Sequence, residues 1–360
     1  MKPFARHSLF YSVFYVAVGL LGTEAIQCVL AVEKLAAEPS SAVKQLDLGW
    51  PREIATSTGS HFEYLQTAAD ADDANPRYNY SKAREYLRKA ADAGDTDAMY
   101  NLGLLYEEGR GGAQDYAEAR GLYQKAADTG QPDAMYRLGS LYAAGLGGAR
   151  DYAKARKWFQ KAADAGQADA MYTLGSFYAK GSGGAPDYGK AREWYQKAAD
   201  AGLPDAMYIL GLFYAEGWGG AQDYAKAREW YQKAADAGHA DAMYGLGTLY
   251  ISGRGGIEDD AKAREWYQKA ADAGHADAMY NLGVLYQYGL GGAKDYAQAR
   301  KWYQKAAGAG DAAAMYELGL LCEKGWGGAQ DYAQAREWYQ KAADAGREDA
   351  KEALSHLGSK

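Results

Sequence analysis

The chain has 360 residues and a formal charge of −7, from 40 Lys+Arg against 47 Asp+Glu. That acidic balance argues against a nucleic-acid binder, which carries a basic stripe; 45 Gly, 32 Tyr and 9 Trp with only 7 Pro make a mix too rich in rings for a disordered chain. Two cysteines, Cys28 and Cys322, are too few for a disulfide framework or a cysteine zinc site.

The N-terminus differs from everything after it. Lys2 and Arg6 precede an apolar run from Leu9 to Leu21, broken only by Ser12, and small residues (Gly22, Thr23, Ala25) surround Glu24. A charged start, a short apolar run and small residues read as a secretory signal peptide. The run is shorter than the roughly 20 residues of a spanning helix, but Ile26–Val32 extends it, so a membrane anchor over residues 9–32 stays open as the alternative. On this reading residues 1–32 direct export to the periplasm or exterior, or tether the chain to the membrane. Residues 33–62, with Pro39, Pro51 and a Ser/Thr cluster, form a linker. Residues 63–97 contain an echo of the later pattern (Glu63–Asp72) at shortened spacing and read as atypical N-terminal capping helices.

From Ala98 the sequence repeats every 36 residues: Ala-Met-Tyr recurs at 98, 134, 170, 206, 242, 278 and 314. Seven units fill residues 98–349, and residues 350–360 form a C-terminal capping helix. A fixed period of this length is the mark of a solenoid, whose units bury their apolar faces only against neighbours. In one unit, a first helix starts near Asp205, expected as its N-cap, with Met207, Leu210, Gly211 and Tyr214 on one arc of the helical wheel. Gly211 costs about 1 kcal/mol relative to Ala inside a helix, so its return in every unit predicts a crossing helix too close for a side chain. A Gly loop follows, then a second helix capped by Asp223, with Ala227, Tyr231, Ala234 and Ala235 at helical spacing and Trp230 beside them. Such short loops place the two helices antiparallel. At Ala313 the Asp expected as first-helix cap is missing, a loss of about 1 kcal/mol.

Tyr-x-Leu-Gly-x-x-Tyr, then Gly-x-Gly-Gly, then Asp-Tyr-x-x-Ala-x-x-Trp-Tyr-x-Lys-Ala-Ala-x-x-Gly resembles the Sel-one-like repeat family over roughly Asn79–Gly358. The resemblance implies an all-α, right-handed α/α superhelical solenoid of helix-turn-helix repeats, related to the tetratricopeptide repeats and acting as a protein–protein adaptor. Some bacterial members are secreted or periplasmic. One branch, with a cysteine pair per repeat, is linked to penicillin binding; those pairs are missing here, so that activity is not carried over.

No constellation for catalysis, cofactor or metal emerges. His239 and His275 share a loop phase one repeat apart, a separation of about 10 Å, on the order of a helix diameter, against metal–ligand bonds of about 2 Å; they read as surface loop residues. The Gly-Gly loops lack the Lys-Ser/Thr of a phosphate-binding loop and precede an Asp. Lys226, Arg228 and Lys233 read as a solvated face balanced by Glu229, Asp236 and Asp241.

Variation on the fixed framework locates the expected binding surface. Four, seven and eleven residues after the repeated Asp the first helix changes from copy to copy, and these positions lie opposite its buried stripe on the wheel. From them Leu104, Arg137, Ile209, Leu212, Val284, Tyr288 and Leu320 are candidate protein-binding residues, joined by the variable loop residues Trp218 and Trp326. The expected function is a non-enzymatic, exported scaffold that takes a partner protein segment on its concave face, with no nucleic acid, metal or cofactor involved. The alternatives are a cell-envelope hydrolase or β-lactam-interacting enzyme of the cysteine-rich branch, and a glycan- or peptidoglycan-binding module.

Overall fold

The computed structural model describes residues 76–256 and 258–358; the expected signal peptide or anchor, the linker, the Glu63–Asp72 echo and Cys28 lie outside them. The described chain folds into two compact units, residues 76–201 and 202–358. In the first unit the helices are α1 (Pro76–Asp92), α2 (Thr96–Glu108), α3 (Tyr116–Asp128), α4 (Pro132–Ala144), α5 (Tyr152–Asp164), α6 (Ala168–Lys180) and α7 (Tyr188–Asp200). The second holds α8 (Pro204–Glu216), α9 (Tyr224–Asp236), α10 (Ala240–Ser252), α11 (Asp260–Asp272), α12 (Ala276–Tyr288), α13 (Tyr296–Gly308), α14 (Ala312–Lys324), α15 (Tyr332–Asp344) and α16 (Glu348–Leu357). Within each unit every helix packs on the next in sequence, as an α/α solenoid requires.

The close crossing expected at the helical glycines is present in all seven full repeats. A Cβ on Gly211 would stand 2.5 Å from a ring carbon of Tyr231, and one on Gly247 would stand 2.5 Å from Tyr267. The same encounter pairs Gly103 with Tyr123, Gly139 with Phe159, Gly175 with Tyr195, Gly283 with Tyr303 and Gly319 with Tyr339. The ring from the second helix thus packs directly against the backbone of the first. Around it the second helix presents Ala: Ala263, Ala270 and Ala271 are buried beside Tyr267, together with Leu282 and Leu285 of the following first helix. Tyr123, Tyr267, Tyr303 and Tyr339 are almost wholly removed from water, each burying on the order of 200 Å².

The helix ends correct the expected register. The first helix begins one residue before the repeated Asp, and its N-cap lies two before it. Leu203 occupies the N-cap of α8, so Asp205 lies in the first turn, where a carboxylate meets the positive end of the helix. The N-cap of α14 is Asp311, which accepts from the Ala314 amide at 2.8 Å; the helix with Ala313 therefore lacks no cap. The second helices are capped as expected by Asp, as Asp223 accepting from Lys226 N at 3.0 Å shows. The last helix starts at Glu348, buries Ala350 and Leu357, and leaves Lys351, Glu352, Ser355 and His356 in water.

The repeated basic residues also depart from a plain solvated face. Arg264 stands 4.0 Å over the ring of Tyr286 and reaches the carbonyls of Leu285 and Ala293 in the next repeat at 3.4 and 3.3 Å. Arg84 does the same at Tyr106, Leu105 and Ala113. Lys233 lies 3.7 Å over Trp230. The guanidinium is therefore a fastener between consecutive repeats, and the loop beside it needs glycine at Gly255, whose φ is +74° and whose Cβ would stand 2.6 Å from the Tyr224 carbonyl oxygen.

Two substitution pairs test these assignments. Gly247→Ala gains roughly 1 kcal/mol of helix propensity but overpacks Tyr267, a cost of about 1–3 kcal/mol, so its urea midpoint falls. Gly121→Ala, inside α3 with nothing within 4 Å of the new Cβ, raises the midpoint. Asp311→Ala loses about 1 kcal/mol, whereas Ala313→Asp leaves stability unchanged or slightly improved; circular dichroism during urea unfolding reads all four.

Candidate functional site

The face in question is the part of each first helix turned away from its own second helix. A first helix in a solenoid has first helices before and after it, so more of its circumference is covered than a two-helix wheel suggests. Two candidates are not exposed: Ile209 is 7% and Val284 is 5% exposed, and for Val284 that is the reason, since it packs in a cluster with Tyr280, Tyr303 and, from the next first helix, Leu318. Leu104, Leu212 and Leu320 are half-buried, and Tyr288 is 38% exposed. The two loop tryptophans differ. Trp218 meets Phe213 edge-on at 5.4 Å, and Trp326 stacks on Tyr296 at 5.0 Å with one face in water. Within each unit the candidates are therefore spread along successive helices and do not converge on a single point.

The positions four after the repeated Asp have a role that variation alone did not reveal. Arg137, Thr173 and Asn281 each reach a tyrosine hydroxyl of the repeat before. Arg137 pairs with Glu107 at 3.4 Å and bonds to the Tyr100 hydroxyl. Thr173 meets the hydroxyl of Tyr136. Asn281 donates to Tyr244 Oη at 3.5 Å. At Glu317 the carboxylate accepts from Gln287 Nε2 at 3.1 Å. Polar contacts thus join some consecutive first helices within each unit.

Buried tyrosine hydroxyls need partners. Tyr123 donates to Glu107 Oε2 at 2.6 Å, Tyr339 to Glu323 Oε2 at 3.0 Å, and Tyr267 meets Thr248 Oγ1 at 3.2 Å. Tyr303 has no partner. Its neighbour at the Thr248 position is Val284, and at the Glu107 position Gln287 is turned toward Glu317. Burial pushes the Tyr303 phenol well above its ordinary value, and the Glu317 charge adds to it. Burial of Tyr267 raises its phenol to about 12, against hydrogen bonds that pull it down.

The histidines are not free loop residues. His275 Nδ1 accepts from the Ala278 amide at 3.3 Å, capping α12, while Nε2 meets Asp241 Oδ1 of the preceding repeat at 3.3 Å and the ring stacks on Tyr244 at 4.5 Å. His239 stacks on Tyr208 at 4.8 Å and meets Asp205 at 3.3 Å. Cys322 replaces the tyrosine over which the repeat arginine elsewhere lies. It is buried and free, donates to Gln334 Oε1 at 3.0 Å and faces Arg300 at 3.5 Å. Among the described residues no three His, Cys, Asp or Glu side chains are grouped to hold a metal ion, and no helix is long and apolar enough to cross a membrane.

Eight successive segments, 76–95, 96–130, 132–167, 168–203, 204–239, 240–275, 276–311 and 312–346, match the Sel1 repeat profile. The chain belongs to the Sel1 repeat family. Its helices also resemble solved relatives. A Sel1 repeat protein from Oxalobacter formigenes is 32% identical with a TM-score of 0.68, over 82% of this chain and 86% of that one. A protective antigen of uropathogenic Escherichia coli displaying an SLR fold is 35% identical with a TM-score of 0.73, over 76% of this chain; the match spans 59% of the antigen. Comparison with curated proteins finds no match.

The Glu317 carboxyl is raised by burial, and the Gln287 bond and Arg347 only partly offset this. A carboxyl with a raised folded value binds more protons folded than unfolded just above the ordinary carboxylate range, so its contribution disfavours the fold as pH rises. Glu317→Gln accordingly stabilises the chain at pH 7.5, and the advantage shrinks toward zero by about pH 4; urea midpoints of both proteins at the two pH values check it.

Proposed function

We propose that this Sel1 repeat protein is a non-enzymatic scaffold that docks a segment of a partner protein along the exposed stripe of its first helices. The observation that carries this reading is where variation falls. The buried rings, alanines and glycines are nearly the same in every repeat, while half-buried and exposed first-helix positions change to Leu104, Leu212, Tyr288 and Leu320. Apolar side chains at exposed, unequal positions on an otherwise uniform framework suit recognition of one particular sequence. Trp326, with one ring face stacked and the other open, has the form of an interface anchor. Ile209 and Val284 are left out of this surface because they are spent on packing.

The charged start and apolar run of residues 1–32 favour an exported protein. The partner on this reading is another protein of the cell envelope or exterior. The repeat family's general association with protein binding supports the scaffold reading.

Affinity capture with the full chain tests it. Leu212→Glu and Tyr288→Glu each place a charge on the stripe outside the Gly–Tyr crossings, so the fold persists and recovery of the partner drops at least tenfold. Recovery equal to wild type by both variants would refute the docking surface. Fractionation of the host, with the mass of the N-terminal peptide, tests export: a full-length chain in the cytosol would overturn it.

A further inference from the structure

Glu107–Arg137 and Gln287–Glu317 occupy the same two positions of the repeat, each pair spanning consecutive first helices. The tyrosines around them correspond as well: Tyr100 and Tyr123 at the first pair, Tyr280 and Tyr303 at the second. At the first, the chain's own guanidinium sits among the two tyrosines and the Glu107 carboxylate. Burial opposes its charge there, and Glu107 with the two hydroxyls outweighs that burial. The cradle therefore holds a guanidinium. At the second no guanidinium bonds to the pair. Glu317 stands in place of the arginine and forms no ion pair within 4.0 Å among the described residues, and the charge of Arg347 nearby lowers its carboxyl only in part. The neighbouring Arg347 is engaged elsewhere, with two hydrogen bonds to Asp349 at 2.8 and 3.0 Å and its guanidinium 4.8 Å over Tyr316. Asp311, which caps α14, adds a further acid facing Tyr280 and Tyr303.

Two polar atoms at this second cradle are buried with no partner: the Tyr303 hydroxyl, in a residue 0% exposed, and Gln287 Oε1, in a residue 2% exposed. Both can accept a hydrogen bond, as Glu317 can. Acceptors and ring faces without a donor are the complement of an arginine side chain, whose planar fork carries five N–H donors and stacks on aromatic rings. Tyr288 stands at the rim, 38% exposed, and Glu317 is half-buried, so the cradle has an approach from water.

We propose that Tyr280, Gln287, Tyr288, Tyr303 and Glu317 form a pocket for the guanidinium of an arginine side chain on the docked partner segment. This deepens the reading of the first-helix stripe as a docking surface and rests on it for the source of the arginine. The guanidinium pairs with the Glu317 carboxylate and lies against Tyr288. Gln287, released from Glu317, turns to meet it with its oxygen or to accept from the Tyr303 hydroxyl.

The test uses the full chain with ε-13C-labelled tyrosine and blocked arginine (N-acetyl-arginine methylamide) as probe, beside its neutral isostere, blocked citrulline. Blocked arginine is expected to shift the Tyr280, Tyr288 and Tyr303 resonances saturably, and blocked citrulline to bind at least tenfold more weakly. Glu317→Gln weakens the arginine response at least tenfold. The double variant Gln287→Glu/Glu317→Arg copies the Glu107–Arg137 arrangement; it abolishes the response while moving the Tyr303 resonance toward that of Tyr123. Absence of a saturable shift in the wild type, equal binding of citrulline, or an undiminished response in Glu317→Gln would overturn the pocket. Because the probe is a small molecule, these outcomes are independent of partner capture. Capture lost in Leu212→Glu with no arginine response refutes the pocket alone, and the reverse pattern refutes the docked protein alone.

Discussion

The contact between a second-helix ring and a first-helix glycine governs this architecture. Tyr267 against Gly247 stands for all of them. A ring laid on bare backbone lets two helices approach more closely than side chain against side chain would. It also fixes where along each helix they cross, because displacement by one turn would drive the ring into a side chain. With the crossing fixed, the alanines at 263, 270 and 271 fall where the next first helix packs, and the short Gly loops can close. The helix propensity lost at each glycine, about 1 kcal/mol, is small beside the burial of a whole tyrosine ring, on the order of several kcal/mol at 25 cal/mol per Å².

The same contact creates the polar problem that the variable positions solve. A tyrosine buried to its tip brings a hydroxyl into the seam between consecutive first helices, where water does not reach it. Glu107, Thr248 and Glu323 answer it from within the repeat. At two of the same seams Arg137 and Asn281 reach across from the following repeat, to Glu107 and to the Tyr244 hydroxyl. Variation along the first helix thus has two origins. Some of these residues satisfy hydroxyls, as Thr248 does, whereas Leu212 and Leu320, at the same repeat position as Thr248, and Tyr288 one turn further on add apolar surface instead.

Much of the architecture was legible in the residues. The period of 36, the Gly loops, the second-helix Asp caps and the close crossing at Gly211 are all local or periodic signals. What was not legible depends on neighbours two helices away. The wheel places Val284 opposite the core, but it knows nothing of the first helices on either side. The repeated Asp at 205 has the chemistry of a cap, and only the backbone shows that the chain turns two residues earlier. The arginine fasteners and the histidine–aspartate links join residues of successive repeats, so no spacing within one repeat announces them. One trace was available: Arg84, Arg264 and Arg300 recur at one phase as constantly as the tyrosines they cover, more constant than a merely solvated residue need be.

Arg264 and the loop it covers also bear on how such an array changes length. Each seam within a unit is made of the same parts: a ring on a glycine, a guanidinium across the next loop, a carboxylate at the next helix start. Removing any 36 residues from the interior of the second unit joins two ends that already carry those complementary parts, so the rejoined seam is equivalent to the one lost. Gain or loss of whole repeats is thereby nearly neutral for folding, and selection on array length is free to follow the reach of whatever is bound.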